Sequence, residues 1–322
     1  MISRTDILAH LERGMRIGFL GGEQGYKPLR AAFCRETPSD AAFETYADMG
    51  AVPWPAQVGG QAGLGGTDGR IGATQVSGLH EGGPITVLGG NERAMVVYAQ
   101  DWDIPIGIFH NAINDAQVGS LEDWARSAGA RFQQHMDYLA FAALNGGDGT
   151  TYGNAYDKTT FFADSHIDPQ AEYQTAQDNV NALTLSLDNF ETVRIAGSSF
   201  RDDRGQPAGI IHDLLVHSIN LERIAAQICD NKEAYDTANR EMNPYAGVVK
   251  RLVAPGGWFD TTAWVCVSGQ GPQKPINLQI RQAPQLVFWD DFTQGAGIRY
   301  YKWLARYTVF YGNWRLAIMG NS

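Results

Sequence analysis

The chain has 322 residues, with 35 acidic and 25 basic side chains and a formal net charge of −10. That balance excludes a protein whose main task is gripping nucleic acid, because such affinity comes from Lys and Arg displacing counterions from phosphate; it does not exclude one that surrounds nucleic acid without binding it tightly. Hydrophobic residues make up 44% and charged residues only 19%, below the roughly 25% of an average soluble domain, so the core is ample and part of the surface is expected to be covered, most simply by other subunits.

Residues 3–17 predict a short amphipathic helix, with Ile7, Leu8, Leu11, Met15 and Ile17 recurring at helical spacing. Residues 18–58 are mixed and end in Val52-Pro53-Trp54-Pro55, where prolines forbid regular helix. Residues 59–90 are so rich in glycine that they cannot form their own core. Ile71–Val76 and Ile85–Leu88 still read as short strands around a Gly-Gly-Pro turn, so a long two-stranded loop supported by a neighbour is expected.

Residues 94–110 are strand-like. Ser120 then offers an N-cap with Asp123 in the capping-box position. Leu121, Trp124, Ala128, Phe132, Met136, Leu139 and Ala143 mark one helical face, and Asn145-Gly146-Gly147 closes it. Residues 148–180 read as a loop and 186–200 as a helix capped by Ser186, with Phe190 and Val193 inward. A turn is expected at 202–209, a strand at 210–218, a helix at 221–229, and strands at 248–253 and 262–267 around Pro255-Gly256-Gly257. Residues 298–311 form an aromatic strand, and Gly312-Asn313 reads as a two-residue hairpin turn returning along 314–319.

The densest potential chemistry is Phe161–Asp168, FFADSHID. A hydrolase would use Ser165 with His166 as base, but adjacent residues on an extended segment point to opposite sides, and the G-x-S-x-G elbow is missing. A metal could use Asp164, His166 and Asp168, which alternate onto one face of a strand, yet Pro169 follows and the next histidine is His212. His212 and His217, five apart in a strand, face opposite ways. The preferred reading is local hydrogen bonding, with Phe161 and Phe162 as anchors and His166 as a bonded structural histidine. No P-loop or dinucleotide fingerprint occurs, and no cofactor is expected. Cys34, Cys229 and Cys266 are odd in number and far apart, which predicts buried free thiols rather than disulfides or zinc. The N-terminus MISRTDILAHLERGM lacks the apolar core of a signal peptide. No apolar run reaches the ~18 residues of a membrane span.

The order of these elements, with YDKTTFFADSH after the long helix, GQP followed by IIHDLLVHSINLERIAAQI, then NP, VVKRLVAPG, AWVCVSG and KPINLQIRQAP, resembles the major capsid proteins of tailed phages. These have the Hong Kong 97-type shell fold, and within them the Mu-like major head subunits are most similar. The likeness is good over 94–322 and weak over 1–93. One departure is that the family usually has proline where His212 and Ile219 flank the strand.

The resemblance implies an α+β fold: an N-terminal arm (1–58), an extended loop (59–93), a peripheral domain (94–160 and 275–322) with a spine helix at 120–145, and an axial domain (161–274). It implies no catalysis and no cofactor. It implies self-assembly through pentamers and hexamers, with inter-subunit contacts at Arg70, Ile71, Val76, Glu81, Ile85, Val87 and Arg93. A separate scaffold, a portal, decoration proteins and packaged double-stranded DNA without specific binding are the other partners, with no membrane. The place is the virion, assembled in the bacterial cytoplasm. Residues 59–95 contain no lysine, so the loop-lysine cross-link of some relatives is not expected, and the N-terminus is expected to be retained. The alternatives are an encapsulin-type nanocompartment shell and a Ser/His hydrolase.

Overall fold

A computed structural model describes residues 4–41, 43–48, 93–109, 119–168, 171–233, 242–269, 271–291 and 297–320. Helix α1 (Arg4–Gly25) is longer than the periodicity of 3–17 predicts. Leu11, Met15 and Phe19 are buried, whereas Ile17, expected on the same face, is 60% exposed. The reason is angular: 17 falls opposite 11, 15 and 19 at ~3.6 residues per turn. Helix α2 (Gly119–Asn145) begins one residue ahead of the expected Ser120 cap, a difference within ordinary end fraying. Its predicted face is the one that packs: Ala128, Phe132, Met136, Leu139 and Ala143 are buried, and Leu121 and Trp124 lie against the core.

The two helices approach very closely. A Cβ at Gly22 would stand 1.9 Å from the Arg126 carbonyl oxygen, and one at Gly129 would stand 2.2 Å from that of Phe19. Only glycine fits there.

Beneath them lies a four-stranded sheet in the order β1 (Cys34–Pro38), β9 (Ile276–Asp291), β10 (Ile298–Tyr311), β4 (Gln100–Phe109). Along β10, Tyr301, Trp303, Ala305 and Tyr307 are buried toward the helices. Trp303 stacks on Phe19 at 5.7 Å and tilts against Trp124 at 5.0 Å. Strand β9 was not read from the sequence, and its Pro284 lies where the β9–β10 register shifts, opposite Ala305; a bulge is where a strand tolerates proline. Strands β2 (Phe43–Asp48) and β3 (Arg93–Tyr98) form a separate antiparallel ribbon, anchored by Tyr46 stacked on Phe310 at 4.4 Å.

The second sheet has the order β5 (Val180–Asn181), β11 (Ala317–Gly320), β8 (Trp264–Val267), β6 (Leu214–Ser218), β7 (Lys250–Ala254). Every residue of β6, β8 and β11 is buried, the pattern of strands covered on both faces. Helix α3 (Leu187–Ser198) lies beside β11; Ser186 caps it as predicted, accepting from the Asn189 N–H at 3.2 Å, and Phe190 and Val193 point inward. Helix α4 (Glu222–Cys229) packs against β6 and β7.

The C-terminal hairpin expectation is corrected. Strand β11 does not return along β10; it crosses into the second sheet between β5 and β8. Asn313 caps a short 3-10 turn, its side chain accepting from the Arg315 N–H. Gly312 serves a close approach instead, since a Cβ there would lie 2.4 Å from the Lys274 carbonyl oxygen. The strand expected at 210–218 is ordered as a ladder only over 214–218, so His212 precedes it.

Candidate functional site

The FFADSHID segment crosses from the end of α2 into the second sheet, and its side chains are spent on anchoring. Phe161 stacks on Tyr311 at 4.6 Å and meets Phe162 edge-on. His166 is buried and lies flat on Trp314, with ring centroids 4.0 Å apart and planes 7° from parallel. Its Nδ1 is 2.6 Å from Asp157 Oδ2 and its Nε2 is 3.0 Å from Asn179 Oδ1. The Asn179 amide orientation follows from its other bonds: Oδ1 also accepts from the Ala163 N–H, while Nδ2 donates to the carbonyls of Phe161, Trp314 and Ala317. Backbone bonds in both directions between His166 and Gln177 close the turn.

This geometry excludes the Ser165–His166 pair as a nucleophile and base. Ser165 is exposed, and neither nitrogen of the buried ring is left to take its proton. The expectation that Asp164, His166 and Asp168 would share one strand face, the argument for the disfavoured metal alternative, is corrected. Asp164 faces solvent while His166 and Asp168 are buried, so the three do not share one open face. Among the described residues no group of three or more His, Cys, Asp or Glu could hold a metal ion. The structural-histidine reading of His166 holds; the partners Asp157 and Asn179 were not identified as such, although Asp157 stands within the quoted YDKTTFFADSH motif.

Two further buried polar knots were missed by sequence reasoning. Arg30 is buried and donates to Glu36 (2.6 Å) and Asp137 (2.8 Å). Asp137 is wholly buried in α2 and also accepts from the Tyr26 hydroxyl (2.9 Å) and the Leu29 N–H (2.8 Å). Burial, aided by the neighbouring Asp137, pushes the Tyr26 hydroxyl up to about 12. Arg315 donates to Asp203 (2.9 Å) and to the Tyr156 hydroxyl, and its guanidinium lies 4.6 Å from the Trp314 ring centre. The first knot ties the N-terminal segment to α2, and the second ties the C-terminal segment to the 202–209 turn. The three cysteines are buried and free, and burial pushes all three thiols up, Cys229 to about 12. No helix among the described residues is long and apolar enough to cross a membrane.

The expected inter-subunit residues Arg70, Ile71, Val76, Glu81, Ile85 and Val87 lie outside the described residues. Arg93 opens β3, paired in register with Asp48 at the end of the ribbon remote from β1 and β4. The outer face of the four-stranded sheet exposes Phe109, Val287 and Trp289, with Trp289 stacked on Tyr300 across the strands at 5.3 Å.

The sequence model of the phage capsid protein family matches residues 110–318. The chain belongs to that family. No curated protein matches the sequence. Among solved structures, the procapsid of bacteriophage JBD30 aligns over 100% of this chain and 76% of that chain, with 16% identity and a TM-score of 0.53. A structure from Microbacterium phage Oxtober96 aligns over 91% of this chain and 90% of that chain, with 12% identity and a TM-score of 0.53. The mature capsid of bacteriophage PhiM1 aligns over 92% and 87%, with 7% identity and a TM-score of 0.51. The fold is thus the Hong Kong 97-like capsid fold, and the protein is a major capsid protein that forms the head shell. For a shell subunit the working parts are its surfaces, and the buried knots fix how those surfaces are held relative to one another.

Proposed function

We propose that this capsid protein builds the icosahedral head of a tailed phage from pentamers and hexamers that enclose double-stranded DNA, assembling in the cytoplasm of a bacterial host. The observation that carries the reading is the family match over 110–318, which spans α2, strands β9 and β10 of the first sheet, most of the second sheet and the His166 crossing. The net charge of −10 supports a wall that repels the packaged genome and lets it slide. In this reading α2 and the four-stranded sheet form the peripheral domain, and the second sheet with α3 and α4 forms the axial domain, with β11 assigned to the latter. Neighbour contacts fall on the 59–93 loop, at Arg70, Ile71, Val76, Glu81, Ile85, Val87 and Arg93. The protein works without catalysis or cofactor.

A scaffold and a portal are expected partners. A decoration protein is a third, since the JBD30 capsid, which shares the fold at a TM-score of 0.50, is described as decorated with minor capsid protein trimers. Electron microscopy of native particles tests the proposal, with closed icosahedral shells whose absorbance ratio reports nucleic acid as the expected result. Nucleic-acid-free particles that hold an enzyme would shift the assignment to an encapsulin-type compartment. A subunit that stays monomeric at high concentration with its scaffold present would overturn it.

A further inference from the structure

Helix α1 has two faces, and only one is matched among the described residues of the subunit. Leu11, Met15 and Phe19 enter the core, and Gly18 and Gly22 sit against the α2 backbone. On the opposite side His10, Arg13, Ile17, Leu20 and Gln24 follow one another at helical spacing, and all are exposed. Ile17 and Leu20, 60% and 51% exposed, occupy the middle. Arg16 flanks them. From residue 9 to 25 this stripe carries no carboxylate. The acids of that span are turned elsewhere: Glu12 accepts from Arg299 at 2.6 Å and Glu23 from Gln133 at 2.9 Å.

Gly21 is a second, independent observation. A Cβ at Gly18 or Gly22 would collide with α2, at 2.7 Å from the Glu122 oxygen or 1.9 Å from the Arg126 oxygen, whereas a Cβ at Gly21 would meet nothing within 4 Å among the described residues. A glycine inside a helix is strongly disfavoured relative to alanine, and no contact among the described residues offsets that at Gly21. It leaves a notch beside Ile17 and Leu20 into which a side chain of another helix can fit.

We propose that this outward face of α1 docks an acidic amphipathic helix supplied by an assembly partner other than the shell subunit. The proposal rests on the capsid reading. Apolar side chains of the partner would cover Ile17 and Leu20 and enter the Gly21 notch, while its Glu or Asp residues would face Arg13 and Arg16, the helix-in-groove mode of recognition. DNA would use the arginines but has no need of a central aliphatic pair. A symmetric contact between two copies through this stripe would set arginines against arginines.

The test uses the full-length unassembled subunit and fluorescence anisotropy. The probe is a synthetic helical peptide with leucines on one face and flanking glutamates; its lysine-for-glutamate counterpart and a DNA duplex are the comparisons. The glutamate peptide is expected to bind, more weakly as salt rises, with the lysine peptide about tenfold weaker or worse. The double variant Ile17→Glu, Leu20→Glu is expected to lose binding by more than about tenfold. Gly21→Ala is the sharper variant, because it raises the urea midpoint of the subunit yet weakens docking several-fold. No binding of the glutamate peptide, tighter binding of the duplex, or binding unchanged by these substitutions overturns the proposal. So does self-association of the subunit that Ile17→Glu abolishes. Imaging wild-type particles in parallel separates the two readings, since closed shells leave the capsid assignment intact whichever way the peptide result falls.

Discussion

His212 lies where the second sheet, α3 and the C-terminal segment meet, and acid should loosen the subunit there. The ring is 1% exposed. Its Nε2 stands 3.2 Å from the Arg315 carbonyl oxygen, so that nitrogen carries the hydrogen, and its Nδ1 has no partner among the described residues. Phe200 packs edge-on against it, and the ring leaves no room for a Cβ on Gly197. Burial drives His212 down from 6.5 to about 4, opposed by the Arg315 bond and Asp213 and reinforced by the charge of Arg194. Because the folded value is depressed, the stabilisation is fully present above the unfolded value near 6.5 and is lost as pH falls toward 4. By linkage the loss is about 2 kcal/mol at pH 5 and about 3 kcal/mol at pH 4, at ~1.36 kcal/mol per unit of difference.

The assay is urea unfolding of the unassembled subunit, followed by tryptophan fluorescence at pH 7 and pH 5, for wild type and His212→Gln. Glutamine keeps an N–H donor for Arg315 and cannot be protonated. His217 and His135 are also held low by burial, but they are common to both proteins and cancel in the difference. The wild type should lose about 2 kcal/mol more than the variant between the two pH values. Equal losses, within about 0.5 kcal/mol, would refute the burial argument.

Gly129→Ala forces a Cβ to within 2.2 Å of the Phe19 carbonyl, so α1 must move off α2; a loss of about 1–3 kcal/mol in the urea midpoint analysis is expected. Asp137→Ala strips buried Arg30 of one carboxylate and should cost about 3–5 kcal/mol, whereas Glu36→Ala, at a partner whose side chain is 51% exposed, should cost under about 1 kcal/mol; equal costs would contradict the burial argument. Ser165→Ala should leave stability within about 0.5 kcal/mol and leave shells intact, while His166→Ala should destabilise by several times that amount, since it removes a ring stacked on Trp314 and strands Asp157. Loss of an ester- or amide-cleaving activity in Ser165→Ala would reinstate the hydrolase reading.

What the sequence made legible was local. The α2 face could be read because seven apolar residues repeat at one period, and the α3 start because Ser186 satisfies an N–H three residues on. His166 was legible as structural because its short polar neighbours favour turns, but its partners depend on the chain folding back through Asn179. The failures are long-range. Gly312-Asn313 carries the composition of a hairpin, yet pairing with β8 and β5, more than 40 residues away, decides where β11 goes. β9 was hidden because Pro284 argues against a strand unless a bulge is known to sit there. Arg30 and Asp137 are 107 positions apart, and no spacing rule connects them.

The three polar knots share a position in the architecture. Arg30–Asp137 joins the first 40 residues to α2, His166–Asp157–Asn179 joins the loop after α2 to the second sheet, and Arg315–Asp203–Tyr156 joins the C-terminal segment to both. Buried ion pairs contribute little net stability compared with apolar packing, but each demands one geometry, because its charged members have no acceptable alternative partner once buried. A subunit that repeats in a closed shell needs that kind of definition. Head-to-tail contacts close only if each copy presents its surfaces at the same angle, and small errors between the parts built on the two sheets would accumulate around a ring. The same account explains why the outer surface looks unfinished, with Phe109, Trp289 and Val287 exposed on the sheet and Ile17 and Leu20 on α1. In the proposed assembly the interior fixes the angles, and the exposed apolar patches are the surfaces offered to neighbours and partners.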